Sequence, residues 1–189
     1  MIAIIPYQTN WPVEFSTLCS ELRRSIGSRA LRIDHIGSTS VPGLAAKDII
    51  DIQLTVQDFE PELEKALIRA GYQRLIDITN DHIPPRGNPD PLEWYKWMFK
   101  PSAPGRPVNL HIRAAGRANQ RYPLLFRDYL RAHPRVAEAY RRVKSALALH
   151  HPDNQDAYYD VKDPVCDLII GGAEEWATFT DWEPGPSDC

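Results

Sequence analysis

The sequence predicts an α+β fold, a β-sheet with flanking helices and a helical C-terminal part. Three observations predict it. Ile50, Ile52, Leu54 and Val56 alternate with Asp51, Gln53 and Thr55, the period of a strand with an apolar and a polar face. Residues 94–100 and 108–113 are rich in aromatic and β-branched residues and are joined by Pro101-Ser102-Ala103-Pro104-Gly105-Arg106-Pro107, so they read as a hairpin. Residues 119–150 read as helix, broken by His133-Pro134 into two.

The remaining elements follow in order. Residues 2–7 read as a short strand or an extended lead-in. Asn10, as N-cap, and Pro12, in the first turn, open a helix whose apolar face is Phe15, Leu18, Leu22 and Ile26, and Gly27 ends it. Trp11 reads as a packing residue. A strand over 30–36 leads into Gly37-Ser38-Thr39-Ser40. A second helix opens at Asp58-Phe59-Glu60-Pro61, with acids in its first turn where the helix dipole favours them. Leu63, Leu67 and Ala70 face the core, and Gly71 closes the helix. Residues 72–76 read as a strand, and 77–92 as a polar, proline-rich loop containing His82 and Arg86. A last helix runs from Asn154 or Gln155 to Gly171-Gly172, interrupted by Pro164. One domain over 1–176 and a loosely ordered tail over 177–189 are expected.

Composition bounds the function. The chain has 189 residues and 43% hydrophobic content, enough for a proper core. A net charge of −3 and a pI near 6.1 argue against a broad basic surface for nucleic acid. No apolar run approaches the roughly 20 residues that span a bilayer, and the N-terminus lacks the basic segment of a secretory signal. Cys19, Cys166 and Cys189 are odd in number and without CxxC spacing, which predicts free thiols in a cytoplasmic protein rather than a disulfide framework or a zinc site.

Chemistry is expected at Gly37-Ser38-Thr39-Ser40. A glycine and three hydroxyls directly after an apolar strand leave backbone N–H groups open to phosphate oxygens. The same run also reads as an ordinary turn, and Asp51 as a polar residue near a strand end. His111 and Arg113, on the polar face of the second hairpin strand, become site candidates if that face looks toward Asp51, and otherwise His111 is an ordinary strand histidine. Arg135, Arg141 and Arg142 read as a solvated helix face.

At this point the chain resembles a known family. His35-Ile36-Gly37-Ser38-Thr39-Ser40-Val41-Pro42-Gly43-Leu44-Ala45-Ala46-Lys47, followed by Ile49-Ile50-Asp51-Ile52, resembles the signature block of the GrpB-like family. Leu125-Phe126-Arg127-Asp128-Tyr129-Leu130-Arg131-Ala132-His133-Pro134, then Tyr140, Lys144, Tyr158 and Lys162, resemble it too. The likeness covers nearly the whole chain short of the last dozen or so residues. That family is similar in fold to the nucleotidyltransferases, so the resemblance implies a mixed sheet. It also implies a phosphate site at Gly37 and Ser38, and Asp51 as a catalytic carboxylate holding magnesium. His35, Lys47, Arg127, Lys144, Tyr158 and Lys162 fall within the matching blocks and are implied as ligand-binding residues. Gln53 departs from the pattern, standing where a second metal-binding carboxylate is expected; an amide oxygen is the weaker ligand for a hard cation.

Three functions stay open: a module binding a nucleotide or other phosphorylated small molecule, a magnesium-dependent nucleotidyltransferase, and a non-catalytic structural or interaction protein. Family members are also found fused to a dephospho-CoA kinase domain, but the phosphate-binding Gly-x-x-x-x-Gly-Lys-[Ser/Thr] pattern is absent from this chain.

Overall fold

The computed structural model describes residues 1–189. Helix α1 (Trp11–Ile26) is followed by strands β1 (Arg32–Ile36) and β2 (Ile50–Val56), helix α2 (Pro61–Arg69), strands β3 (Tyr72–Arg74), β4 (Trp97–Pro101) and β5 (Val108–Ala114), and helices α3 (Ala118–Ala132), α4 (Pro134–His150) and α5 (Gln155–Thr180). The five strands form one mixed sheet in the order β1-β2-β5-β4-β3, antiparallel throughout except for the central β2–β5 pair. The β4–β5 hairpin and the division of 119–150 at His133-Pro134 are as the sequence predicts.

Each face of the sheet has its own cover. Against one lie α1 and α2, whose Trp11, Phe15, Leu22, Ile26, Leu63 and Leu67 pack on Ile50, Ile52, Leu54, Leu110 and Ile112 in a single cluster of 21 buried residues. That cluster is the main hydrophobic core, and burial of this kind is the dominant favourable term in folding. Helix α3 covers the other face. Gln53 and Thr55 are therefore buried although they stand on the polar side of β2, and Gln53 Nε2 donates to the Gln120 carbonyl at 2.8 Å. Smaller clusters join α3, α4 and α5: Leu130, Tyr140 and Ile169 meet Val41 and Leu44, and Leu125 meets Ile170, Ala173 and Ala177.

Several local expectations are corrected. The Asn10 side chain donates to Glu14 Oε1 rather than capping α1. The fourth strand begins at Trp97, because Pro91–Trp94 form a 3-10 turn. Ala66 joins Leu63 and Leu67 as a buried residue of α2, while Ala70, at its C-cap, packs partly buried against the same core as expected. Helix α5 continues through Pro164 and past Gly171-Gly172 to Thr180.

The C-terminal residues, expected to be loose, are tied to β1 instead. Ser187 Oγ accepts from the Ile33 N–H and donates to the Ile33 carbonyl, and Asp188 accepts from the His35 N–H at 2.9 Å. Cys19 and Cys189 are joined as a disulfide, which corrects the expectation of free thiols for these two and leaves Cys166 free. Their separation of 170 residues hid the pairing. No helix is long and apolar enough to cross a membrane.

Candidate functional site

The parallel pairing of β2 and β5 builds the floor of the site. Its register sets Asp51 beside Asn109, Gln53 beside His111 and Thr55 beside Arg113. The polar alternation of both strands thus makes one surface, as the sequence condition on His111 and Arg113 required. Asn109 Nδ2 donates to Asp51 Oδ1 at 2.8 Å, and His111 Nε2 lies 3.8 Å from the same oxygen, too far for a hydrogen bond. Burial, together with Arg113 and Lys96, holds His111 below its ordinary range despite Asp51.

The Gly37-Ser38 turn forms the rim. Gly37 has φ +70° and ψ −173°, a conformation almost exclusive to glycine, and a Cβ there would stand 2.4 Å from Asp51 Oδ2. The glycine lets the turn come down onto the carboxylate. From the opposite side α4 delivers Lys144, which is only 2% exposed. Its Nζ donates to Ser38 Oγ at 2.8 Å and to the Ala45 carbonyl at 2.7 Å and lies 4.7 Å from the Tyr140 ring centroid. No carboxylate pairs with it. Burial, reinforced by the neighbouring Lys162 charge, pushes the Lys144 ammonium down to about 7.

Two cavities that share part of their lining open between sheet and helices. The larger, about 930 Å³, is lined by Lys47, Lys96, Lys100, Lys144 and Lys162, with Asp48 and Asp51 as its acids. Asp48 is already engaged, accepting from Trp11 Nε1 at 2.8 Å and paired with Arg106 at 2.7 Å. Lys47 sits over the Tyr158 and Tyr159 rings, 4.2 and 4.9 Å from their centroids, with the tyrosines on α5. The smaller cavity, about 310 Å³, shares Ser38, Asp51, His111 and Lys162 with the first.

Of the residues singled out in the sequence, Gly37, Ser38, Thr39, Lys47, Asp51, His111, Lys144, Tyr158 and Lys162 line one or both cavities. His35, Ser40 and Arg127 do not, and each is spent on structure. His35 stacks on Phe15 at 4.8 Å, contacts Thr39 Oγ1 at 3.0 Å, and is pushed down to about 4 by burial, so it is neutral. Ser40 Oγ donates to the Gly37 carbonyl, closing the turn on itself. Arg127, 3% exposed, donates to the His35 carbonyl and is paired with Asp128 and Asp188, anchoring α3 and the C-terminal residues to β1.

Four residues that shape the site were not singled out: Asp81, Lys96, Asn119 and Tyr159. For Lys96 a signal existed, since Trp97 and Phe99 face the core and period 2 turns Lys96, Met98 and Lys100 to the other side. Asp81 lies in the irregular loop and has no periodicity to betray it. Its carboxylate accepts from Arg113 Nε and Nη2 at 2.8 and 2.9 Å, from Lys96 at 2.7 Å and from Asn119 at 3.1 Å. Burial opposes its ionisation, yet Arg113 and Lys96 prevail and hold Asp81 well below the usual carboxylate range. A carboxyl group depressed in the folded state contributes stability above its unfolded pKa, near 4, and loses it as pH falls through the folded value. Asp81→Asn strands two buried cations and is expected to cost about 3 kcal/mol at pH 7. Thermal melts should show that deficit shrinking as the pH drops below about 4; an equal deficit at all pH values would remove Asp81 from the charge balance.

The donors do not fit a resident magnesium ion. Gln53 Oε1 accepts from Arg113 Nη1 at 2.8 Å, Asp81 is saturated by cations, and only Asp51 presents a carboxylate without a cationic hydrogen-bond partner. No group of three or more His, Cys, Asp or Glu side chains is arranged to hold a metal. What converges instead is ammonium, hydroxyl and imidazole, donors suited to an anion.

Comparison with known proteins agrees with this architecture. The crystal structure of the conserved protein GrpB from Enterococcus faecalis superimposes with a TM-score of 0.75 at 29% identity, covering 92% of this chain and 99% of that one. A UPF0157 protein of Halalkalibacterium halodurans is 35% identical, over 89% of this chain and 80% of its own. A dephospho-CoA kinase of Mycolicibacterium paratuberculosis is 38% identical over 97% of this chain but only 48% of its own, so this chain spans about half the length of that relative. The model of the GrpB protein family matches residues 1–171. With that match over nearly its whole length, the chain belongs to the GrpB protein family.

Proposed function

We propose that the protein binds a phosphorylated small molecule, a nucleotide among the candidates, at the Gly37-Ser38 turn, using its own cations rather than a resident metal. The observation that carries this reading is Lys144, a buried ammonium with no carboxylate partner, held on Ser38 Oγ at the rim of a lysine-lined cavity. An isolated buried charge is unfavourable, and a phosphate oxygen at the rim supplies the missing counter-charge. Lys47 and Lys162 reach the same cavity, Lys as a mobile point charge that adapts to phosphate. Asp51 and His111 then take the polar end of the ligand, Asp51 as acceptor and neutral His111 as donor or acceptor.

The name of the mycobacterial relative brings coenzyme A precursors into the ligand panel. We assign the kinase chemistry implied by that name to the half that this chain does not match, because the phosphate-loop pattern of such kinases is absent here. A thermal-shift screen of nucleoside phosphates, coenzyme A precursors and pyrophosphate, each with magnesium or with EDTA, tests the reading, since a ligand of the folded state raises Tm. At a ligand concentration 100-fold above Kd the stabilisation is about 2.7 kcal/mol, equivalent to a rise of roughly 5–10 °C for a chain of this size. Hits that keep their size in EDTA support it. Hits only with magnesium would favour metal-dependent nucleotidyl transfer at Asp51 instead.

A further inference from the structure

The smaller cavity is unlike its neighbour. Trp94, Tyr122, Phe126 and Tyr140 wall it with aromatic rings. Tyr122 and Phe126 are near parallel, 6.0 Å apart at 10°, while Trp94 stands edge-on to Tyr122 and Tyr140 edge-on to Phe126. Its volume of about 310 Å³ lies at the lower end for small-molecule sites, which run from about 300 to 1,000 Å³. Flat aromatic walls favour a flat guest, because ring faces stack on ring faces.

A second, independent feature points to a ligand. Asn119 lines this cavity and is 1% exposed. Its amide orientation is fixed, since Nδ2 donates to Asp81 Oδ2 at 3.1 Å and to the Tyr95 carbonyl at 3.0 Å, both acceptors. Oδ1 is left buried with no partner, and the same is true of His111 Nδ1 nearby. Buried polar atoms are almost always hydrogen-bonded, so an orphaned carbonyl oxygen on a residue that lines the cavity is a candidate acceptor for an incoming N–H.

We propose that the aromatic recess takes a planar nitrogen heterocycle whose N–H edge bonds to Asn119 Oδ1, making the ligand a nucleoside phosphate rather than a sugar phosphate or a bare polyphosphate. This rests on the phosphate reading above and names its ligand class. The shared lining of the two cavities gives the path: from the recess the ligand passes Asp51 and His111 to Ser38 and Lys162, and its phosphates continue among Lys47 and Lys144. The ring supplies specificity, and the phosphates supply charge.

Calorimetric titration of the 189-residue chain separates the two ideas. The probes are pyrophosphate, ribose 5-phosphate and the adenine, guanine, cytosine and uracil nucleoside diphosphates, all in EDTA. At least one nucleoside diphosphate is expected to bind about 10-fold or more tightly than pyrophosphate and ribose 5-phosphate, the scale of one stacked base. The double variant Tyr122→Leu, Phe126→Leu should erase that preference while leaving pyrophosphate affinity as it was. If pyrophosphate binds and no nucleoside diphosphate binds more tightly, the recess has no ring to hold and this inference is overturned while the phosphate reading stands. If none of the probes binds, both fall.

Discussion

Gly37→Ala is expected to lower the stability of the protein by about 3 kcal/mol, a fall in Tm of roughly 6–12 °C, and to abolish ligand binding as well. Two costs add. The backbone at φ +70° and ψ −173° lies in a region that side chains with a Cβ scarcely enter, at about 1–3 kcal/mol. The new methyl would also meet Asp51 Oδ2 at 2.4 Å, so the turn must lift or the carboxylate must swing away from Asn109. Gly43→Ala is the control. Gly43 also has positive φ, +79°, but nothing lies within 4 Å of a Cβ there, and its loss should be limited to the conformational term of about 1–2 kcal/mol. Thermal melts of both variants decide the matter, and equal losses would mean that the close approach to Asp51 has no energetic weight.

Lys144 carries the second large effect. In the free protein its ammonium titrates near 7, and a bound phosphate stabilises the charged form, so binding takes up a proton at and above that pH. Above pH 7 the affinity should fall about tenfold per pH unit, until the pKa of the complex is reached. Lys144→Met should bind about 10- to 100-fold more weakly at pH 6.5, the worth of a charged hydrogen bond, and its remaining affinity should be nearly flat from pH 7 to 9. Stability moves the other way. Between pH 7 and about 10.4 the unfolded chain holds a proton on Lys144 that the folded chain has released, so wild-type stability rises with pH there and that part of the rise is missing in the variant. Titrations in two buffers of different ionisation heat measure the proton uptake directly. A pH-independent affinity in the wild type would show that Lys144 does not meet the ligand.

The parts of the fold legible in the sequence were those with a short period. The alternation of β2, the apolar stripe of α1 and the proline break between α3 and α4 depend on neighbours one to four residues away, and each is where the pattern put it. What stayed hidden depends on distant partners. Helix α5 runs through Pro164 because α3 and α4 pack along it. Gly172, which read as a helix stop, is instead a point of close approach, where a Cβ would lie 3.0 Å from Tyr129 Oη. Ser187 meets Ile33 across 154 positions, a pairing that no local pattern encodes.

The same division runs through the site. That Asp51 and His111 share one surface was legible because strand parity fixes which way they face, and the Gly37-Ser38 turn was legible from its place directly after an apolar strand. Arg127 was misplaced because a basic residue in a matching block looks the same whether it meets a ligand or, as here, Asp128, Asp188 and the His35 carbonyl. Asp81 and Asn119 came from a loop and a helix start whose positions only the folded chain defines. The charge they settle, Arg113 against Gln53 and Asp81, is also what leaves Asp51 without a second carboxylate beside it.

The most direct test is a calorimetric titration of pyrophosphate into the wild-type protein in EDTA at pH 6.5, repeated with excess magnesium and on Lys144→Met. Binding in EDTA that magnesium does not strengthen, and that is lost or greatly weakened in Lys144→Met, is the result expected of a site built from ammonium groups and a Gly-Ser turn. Heat that appears only with magnesium, persists in Lys144→Met and vanishes in Asp51→Ala would contradict it and return Asp51 to the role of a metal ligand.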